Sequence, residues 1–302
     1  MLRNKILNRE DGIVFYGIVP PKKDTDPERV REISELQMSR LKGRSIDGMV
    51  LYDIQDESSR TSEKRPFPFM ETLDSFRYSR EYLSALDVPK IIYRSVGKYT
   101  KDTLSQFIQA VDTEKELSVF VGASSMDQDV TMTMREAYAL RSQLNPELLV
   151  GGVTIPERHL TKLDEHMRVF SKMQQGCSFF VSQGVYDVNA SKNFLSDYYF
   201  YGQENGIELA PIIFTLTPCG SRKTLEFMKW LGIEIPRWLE NELVHSEDIL
   251  QKSVEFSVQS YKELRAYAAE KNIPIGCNIE SVAVRKAEVE ASIEMLDMIN
   301  AG

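Results

Sequence analysis

Apolar residues in this chain fall into two spacings that take turns. Short, nearly continuous apolar runs occupy residues 12–19, 47–53, 89–95, 117–122, 148–154, 178–183, 209–216 and 273–279. Each has strand length and ends at a turn signal or a polar cluster. The first stops at Pro20-Pro21, where a fixed φ and a missing N–H end a ladder. Between the runs, apolar residues return every three or four positions, as in Val30, Ile33, Leu36, Met38 and Leu41. That spacing predicts helices over 26–41, 75–86, 101–111, 129–142, 163–175, 189–202, 222–231, 246–270 and 284–299. Asp26-Pro27 is a well-formed helix start, with a capping carboxylate and a proline at the first turn. Strand and helix alternate about every 35 residues, which predicts one α/β domain over residues 1–302, a single closed (β/α)8 TIM barrel rather than an open sheet. No strand is followed by a glycine fingerprint of the dinucleotide or P-loop kind.

Composition narrows the functions open to such a barrel. The 302 residues are 42% hydrophobic and 27% charged, with a net charge of -8. No strongly basic run appears, so nucleic acid is not an expected partner. No apolar run approaches the ~20 residues that span a bilayer, and the first residues, Met1-Leu2-Arg3-Asn4-Lys5, lack the apolar stretch of a secretory signal. Cys177, Cys219 and Cys277 are few and sit in apolar settings. They are expected as reduced core thiols of a cytoplasmic protein. The three histidines, at 159, 166 and 245, show no metal-ligand spacing. The sequence leaves a homo- or hetero-oligomer open.

A barrel of this type keeps its chemistry where strands end. The segment Asp53-Ile54-Gln55-Asp56-Glu57-Ser58-Ser59-Arg60 places Asp53, Asp56 and Glu57 just past the second strand. Carboxylates this close disfavour joint ionisation, so one is a candidate acid; the alternative is a solvated acidic loop paired with Arg60 or Arg65. The connection over 54–70 is long for a compact domain, which points to function or mobility. Arg94 ends the third strand and Glu280 the eighth. A buried Arg94 needs a carboxylate partner, which Asp53 or Glu280 could supply. Gln183 ends the sixth strand, where its amide can pair with a pterin or nicotinamide edge, or instead satisfy loop backbone. His159 follows the fifth strand, as an anion contact or a histidine at a helix cap. Glu165 and Lys172, seven apart, share a helix face.

The second half resembles methylenetetrahydrofolate reductase. The family's G-V-x-x-Y-P-E-x-H loop is similar to Gly151-Gly152-Val153-Thr154-Ile155-Pro156-Glu157-Arg158-His159. Its later strand, I-T-Q-x-F-F-D, resembles Val181-Ser182-Gln183-Gly184-Val185-Tyr186-Asp187, and its F…x-I-P-x-W resembles Phe227 with Glu234-Ile235-Pro236-Arg237-Trp238. The resemblance implies a reduced folate as substrate, bound with Gln183, Tyr52, Arg94, Phe227 and Glu280. It implies hydride transfer from NAD(P)H through FAD, and FAD contacts at His159, Glu165 and Lys172. The departures fall at the chemistry. The family's catalytic Glu on strand one is Gly17 here, its R-G-D is Val121-Gly122-Ala123, and the Tyr of Y-P-E is Ile155. Weak or absent FAD is therefore expected, and a stand-in acid is expected among Asp53, Asp56 and Glu57, reaching space that Gly17 leaves free. The alternatives are flavin-independent methyl or methylene transfer, and a non-catalytic folate-binding or partner subunit.

Overall fold

A computed structural model describes residues 1–57, 61–123 and 130–301. Eight strands, β1 (Ile13–Ile18), β2 (Gly48–Leu51), β3 (Lys90–Ser95), β4 (Glu116–Val121), β5 (Val150–Thr154), β6 (Cys177–Gly184), β7 (Ile212–Leu216) and β8 (Ile275–Ile279), pair in chain order. All pairs are parallel, and β8 returns to β1 with Phe15 beside Asn278. The chain is a single (β/α)8 TIM barrel.

The helices are α1 (Leu2–Leu7), α2 (Pro27–Leu41), α3 (Ser75–Tyr82), α4 (Lys101–Ala110), α5 (Met134–Leu144), α6 (His159–Lys162), α7 (Glu165–Gln174), α8 (Val188–Asn205), α9 (Arg222–Trp230), α10 (Arg237–His245), α11 (Ile249–Ala269) and α12 (Lys286–Asn300). Local chemistry sets several of these boundaries. Asp26 caps α2 by accepting from Glu28 and Arg29. Thr133 and Glu136 form a reciprocal capping box that starts α5 at Met134, five residues later than the apolar spacing suggests; Asp129 lies outside the described residues. Two short helices, α1 and α6, have too few turns for the spacing to reveal them, and α10 stands where the sequence reads as a turn through Ile235-Pro236.

Strand side chains alternate between two cores. Ile13, Phe15, Val50, Ile91, Tyr93, Leu117, Val119, Phe179, Val181 and Ile213 fill the barrel interior. Their neighbours, among them Met49, Leu51, Ile92, Phe120, Phe180, Phe214 and Cys277, face the helix ring. Full burial of each such side chain contributes about 1.5–3 kcal/mol. At the N-terminal end, α1 inserts Leu2 and Ile6 into the inner core, and Leu2 lies directly over Gly48. The barrel is stoppered at that end. All three cysteines are free and buried, and burial pushes the Cys177 thiol up to about 11. No described helix is long and apolar enough to cross a membrane.

Candidate functional site

The in-out alternation decides which rim residues face the mouth. Val50 is interior, so Tyr52, two residues on, points inward and Asp53 outward. Tyr52 packs edge-on against Tyr93 with centroids 4.7 Å apart. Its hydroxyl accepts from Asn278 Nδ2 at 2.7 Å, and the same amide reaches Thr215 Oγ1 at 3.2 Å. Glu280 continues the inward face of β8 two residues past Asn278. Burial pushes its carboxyl up to about 7, while hydrogen bonding from Tyr52 and Asn278 holds it from rising further. Tyr52 and Glu280 both remain only half-buried: enclosed by protein, they are still reached by solvent through the mouth. The floor of the mouth is thus a polar chain of Glu280, Tyr52, Asn278 and Thr215 set on an aromatic wall.

Gly17 borders this floor but leaves no vacancy. A Cβ there would lie 2.9 Å from the Tyr52 ring, 3.2 Å from Asn278 Oδ1 and 3.2 Å from Glu280 Cβ. The space expected for a carboxylate from the second strand is filled by Tyr52. Gly17→Ala is expected to destabilise the fold by about 1–2 kcal/mol through overpacking, read as a lower urea midpoint. An unchanged midpoint would mean that Tyr52 yields freely.

Asp53 belongs to a different network, on the outer face. Its Oδ2 accepts from Ser95 N at 2.8 Å and Tyr99 Oη at 2.9 Å, and its Oδ1 from Lys98 Nζ at 2.5 Å. Arg94 is buried and also outward-facing. It donates to Asp74 Oδ2 at 2.5 Å and Tyr99 Oη at 2.9 Å, with its guanidinium 4.2 Å from the Phe107 ring centre. The partner expected for Arg94 was Asp53 or Glu280; it is Asp74, because Arg94 follows inward-facing Tyr93 and so points to the helix ring. Burial pushes the Asp74 carboxyl up, but the Arg94 hydrogen bond and charge outweigh it and hold Asp74 below the usual range. Asp56 is exposed and Glu57 half-buried. Burial lowers the Arg65 pKa, and both carboxylates oppose that shift by stabilising its charge. Ser58, Ser59 and Arg60 lie outside the described residues.

The described parts of the connection between β2 and α3 cross the mouth. Gln55 Nε2 donates to Gly122 O at the end of β4, at 3.1 Å. On the far side, three strands away, Glu63 O accepts from Trp230 Nε1 of α9 at 3.1 Å. Phe67 stands edge-on to Phe227 at 5.2 Å. The Arg65 guanidinium lies 5.4, 5.3 and 5.0 Å from the ring centres of Phe69, Phe227 and Trp230. Each such contact contributes about 0.5–2 kcal/mol. The returning end pairs with the exit of β1, where Leu73 N donates to Pro21 O and Lys23 N to Glu71 O.

The remaining candidates lie in the wall under β5 and β6. Gln183 donates from Nε2 to Leu231 O at 2.7 Å, so that donor serves loop backbone. It sits where the β6–β7 register shifts between Val181 and Gly184. Glu165 Oε1 accepts from Thr154 Oγ1 and Ile155 N, and Lys172 Nζ donates to Val153 O at 2.5 Å. Burial lowers the Lys172 pKa, against the opposing charge of Glu165. His159 is 1% exposed, with Nε2 2.9 Å from Asp197 Oδ2 of α8. His159, Glu165 and Lys172 thus each engage a protein partner, while Glu165 Oε2 and His159 Nδ1 have no hydrogen-bond partner among the described residues. Glu157, in the turn after β5, is 5% exposed, and neither carboxylate oxygen has a hydrogen-bond partner among the described residues. Burial pushes it up to about 8, and the charges of Asp187, Glu234 and Glu165 act in the same direction.

The sequence did not single out Tyr93, Thr215 or Asn278. A signal was present for the last: Asn278 interrupts the otherwise apolar run Ile275-Gly276-Cys277-Asn278-Ile279, and a polar residue on an inward strand position is placed there against the usual preference.

No protein-family model matches the chain, and no curated protein does. Membership of the methylenetetrahydrofolate reductase family is accordingly not shown. Among solved structures, an uncharacterized protein from Clostridium thermocellum that binds two copies of 5-methyl-5,6,7,8-tetrahydrofolic acid is 51% identical. It is matched over 100% of both chains with a TM-score of 0.89. A 2,3-dimethylmalate lyase of the PEP mutase/isocitrate lyase superfamily is matched at 12% identity and TM-score 0.45, over 98% of this chain and 93% of its own. The dihydropteroate synthase of Thermus thermophilus is matched at 11% identity and TM-score 0.46, over 97% and 95%. These two distant likenesses bear on no chemistry here.

Proposed function

The chain belongs to the same family as the Clostridium thermocellum protein, and from that premise we propose that its barrel mouth binds a reduced folate. The observation that carries this reading is identity over the whole length of a protein that binds 5-methyltetrahydrofolate. The mouth supports it chemically. A pterin needs an aromatic wall and a few convergent polar groups, which Tyr52, Tyr93, Asn278 and Glu280 supply. Phe227 and Trp230 offer stacking faces for the aminobenzoyl part once Phe67 and Arg65 lift away.

The reaction proposed is transfer of a methyl group from N5 of the folate to an acceptor nucleophile. The acceptor attacks the methyl carbon, the C–N5 bond breaks with its electron pair left on nitrogen, and N5 takes a proton. Glu280, with a carboxyl near neutrality, is the proposed donor of that proton. This places the acid on strand eight rather than at Asp53, Asp56 or Glu57. Hydride transfer to a methylene folate is the second reading, favoured by the motif match around residues 151–159 and 181–187. It would need FAD, for which the resemblance implies His159, Glu165 and Lys172, each already bonded to a protein partner.

Titration calorimetry with 5-methyltetrahydrofolate tests the site. Saturable binding is expected, with Trp230 fluorescence changing as the ligand enters. Phe227→Ala should weaken binding about tenfold through lost stacking. Absence of saturable binding to the wild-type chain would sink the reading.

A further inference from the structure

We propose that His159, His166 and Asp197 form a binding site for a first-row divalent transition metal, with Zn2+ the best fit. The chain has three histidines in 302 residues, and two of them stand face to edge with ring centroids 5.2 Å apart. Asp197 closes the group, and one ligand atom from each residue lies within 4.8 Å of the other two. The three residues come from α6, α7 and α8, so only the folded chain assembles them.

Each donor suits a metal. Imidazole with carboxylate is a zinc-type set, and three protein ligands leave a fourth position for water. Asp197 Oδ2 already lies 2.9 Å from His159 Nε2. Ligand atoms around a tetrahedral zinc with bonds of about 2.0–2.1 Å are about 3.3 Å apart, so His166 must close by up to ~1.5 Å. It is half-buried, with ring contacts to His159 at 5.2 Å and Tyr201 at 5.7 Å, so closing on the metal means turning toward a neighbour it already meets. Nδ1 of both histidines is buried and has no hydrogen-bond partner among the described residues. Each ring thus keeps a nitrogen that no described group has claimed. Asp164, whose charge is felt at His166, adds negative potential near the cation. The site lies on the outer wall, apart from the mouth floor of Glu280, Tyr52 and Asn278, and owes nothing to the folate reading.

The test uses the untagged full-length chain, stripped with a chelator and titrated with Co2+ while visible d–d absorption is followed. One Co2+ per chain is expected, displaced by one equivalent of Zn2+. His159 is buried, so the variants are His166→Ala and Asp197→Asn, both toward the surface, with circular dichroism to verify folding. Each should weaken Co2+ and Zn2+ binding at least tenfold, while His245→Ala, at an exposed position of α10, should leave it unchanged. No saturable binding by the wild-type chain overturns the proposal. So does binding that His166→Ala and Asp197→Asn leave intact, since the metal would then be held elsewhere.

Discussion

Glu157→Gln is expected to exceed wild-type stability by under ~1 kcal/mol at pH 5 and by up to ~4–5 kcal/mol at pH 8. Glu157 is buried without a hydrogen-bond partner among the described residues, and its carboxyl is pushed from 4.5 up to about 8. A carboxyl whose folded value lies above its unfolded value binds more protons in the native state. Wild-type stability therefore declines as pH rises from about 4.5 to 8, at up to ~1.4 kcal/mol per pH step. Below that window the acid is neutral in both states and resembles the amide. Above it the slope vanishes, because both states are ionised. Urea unfolding of both proteins at pH 5 and pH 8 measures the difference. Parallel curves at the two pH values would mean that water already solvates Glu157 in the native state.

At the mouth floor, the affinity of the wild-type chain for 5-methyltetrahydrofolate is expected to fall as pH rises through about 7. Burial places Glu280 there; in the proposed binding mode its carboxyl donates a hydrogen bond to the tertiary N5 below that value, and above it two lone pairs face each other. The loss should amount to about 1–3 kcal/mol, or roughly 5- to 150-fold in Kd. Glu280→Gln keeps a donor that does not titrate, so its affinity should be flat across the same range. Glu280→Leu should be weak throughout, matching the ionised wild type. Calorimetry between pH 6 and pH 8.5 separates the three. A wild-type profile as flat as that of the Gln variant would remove Glu280 from the folate contact while leaving folate binding itself untouched.

The barrel was legible because each strand repeats one signal. Eight apolar runs spaced by helices have few other ways to bury both faces of a parallel sheet. The site was less legible, for a reason that the residues around Tyr52 make plain. A cluster of acids in sequence suggests chemistry, yet Asp53 and Tyr52 are neighbours, and a strand sends neighbours to opposite faces. Tyr52 and Glu280 are among the folate contacts that the resemblance implies; counting from inward Val50 supplies the geometric reason for Tyr52 and sends Asp53 toward the helices, and the same count from Asn278 puts Glu280 inside. What alternation cannot supply is the partner across space. Asp74 meets Arg94 from a loop 20 positions earlier in the chain, and Asp197 meets His159 across 38. Neither pairing leaves a periodic trace. Helices such as α1 and α6 escaped because one or two turns of apolar spacing cannot be told from a loop.

The placement of Leu2 and Ile6 under the strands governs traffic as well as packing. Among the described residues the inner core is filled with side chains from α1 upward, so the axis of the barrel is no passage. A small molecule that meets Tyr52 or Glu280 approaches from the end where the strands finish, the side that the described parts of the β2–α3 connection cross. Direction of approach is then a property of the architecture, set before any side chain at that end selects what it will hold.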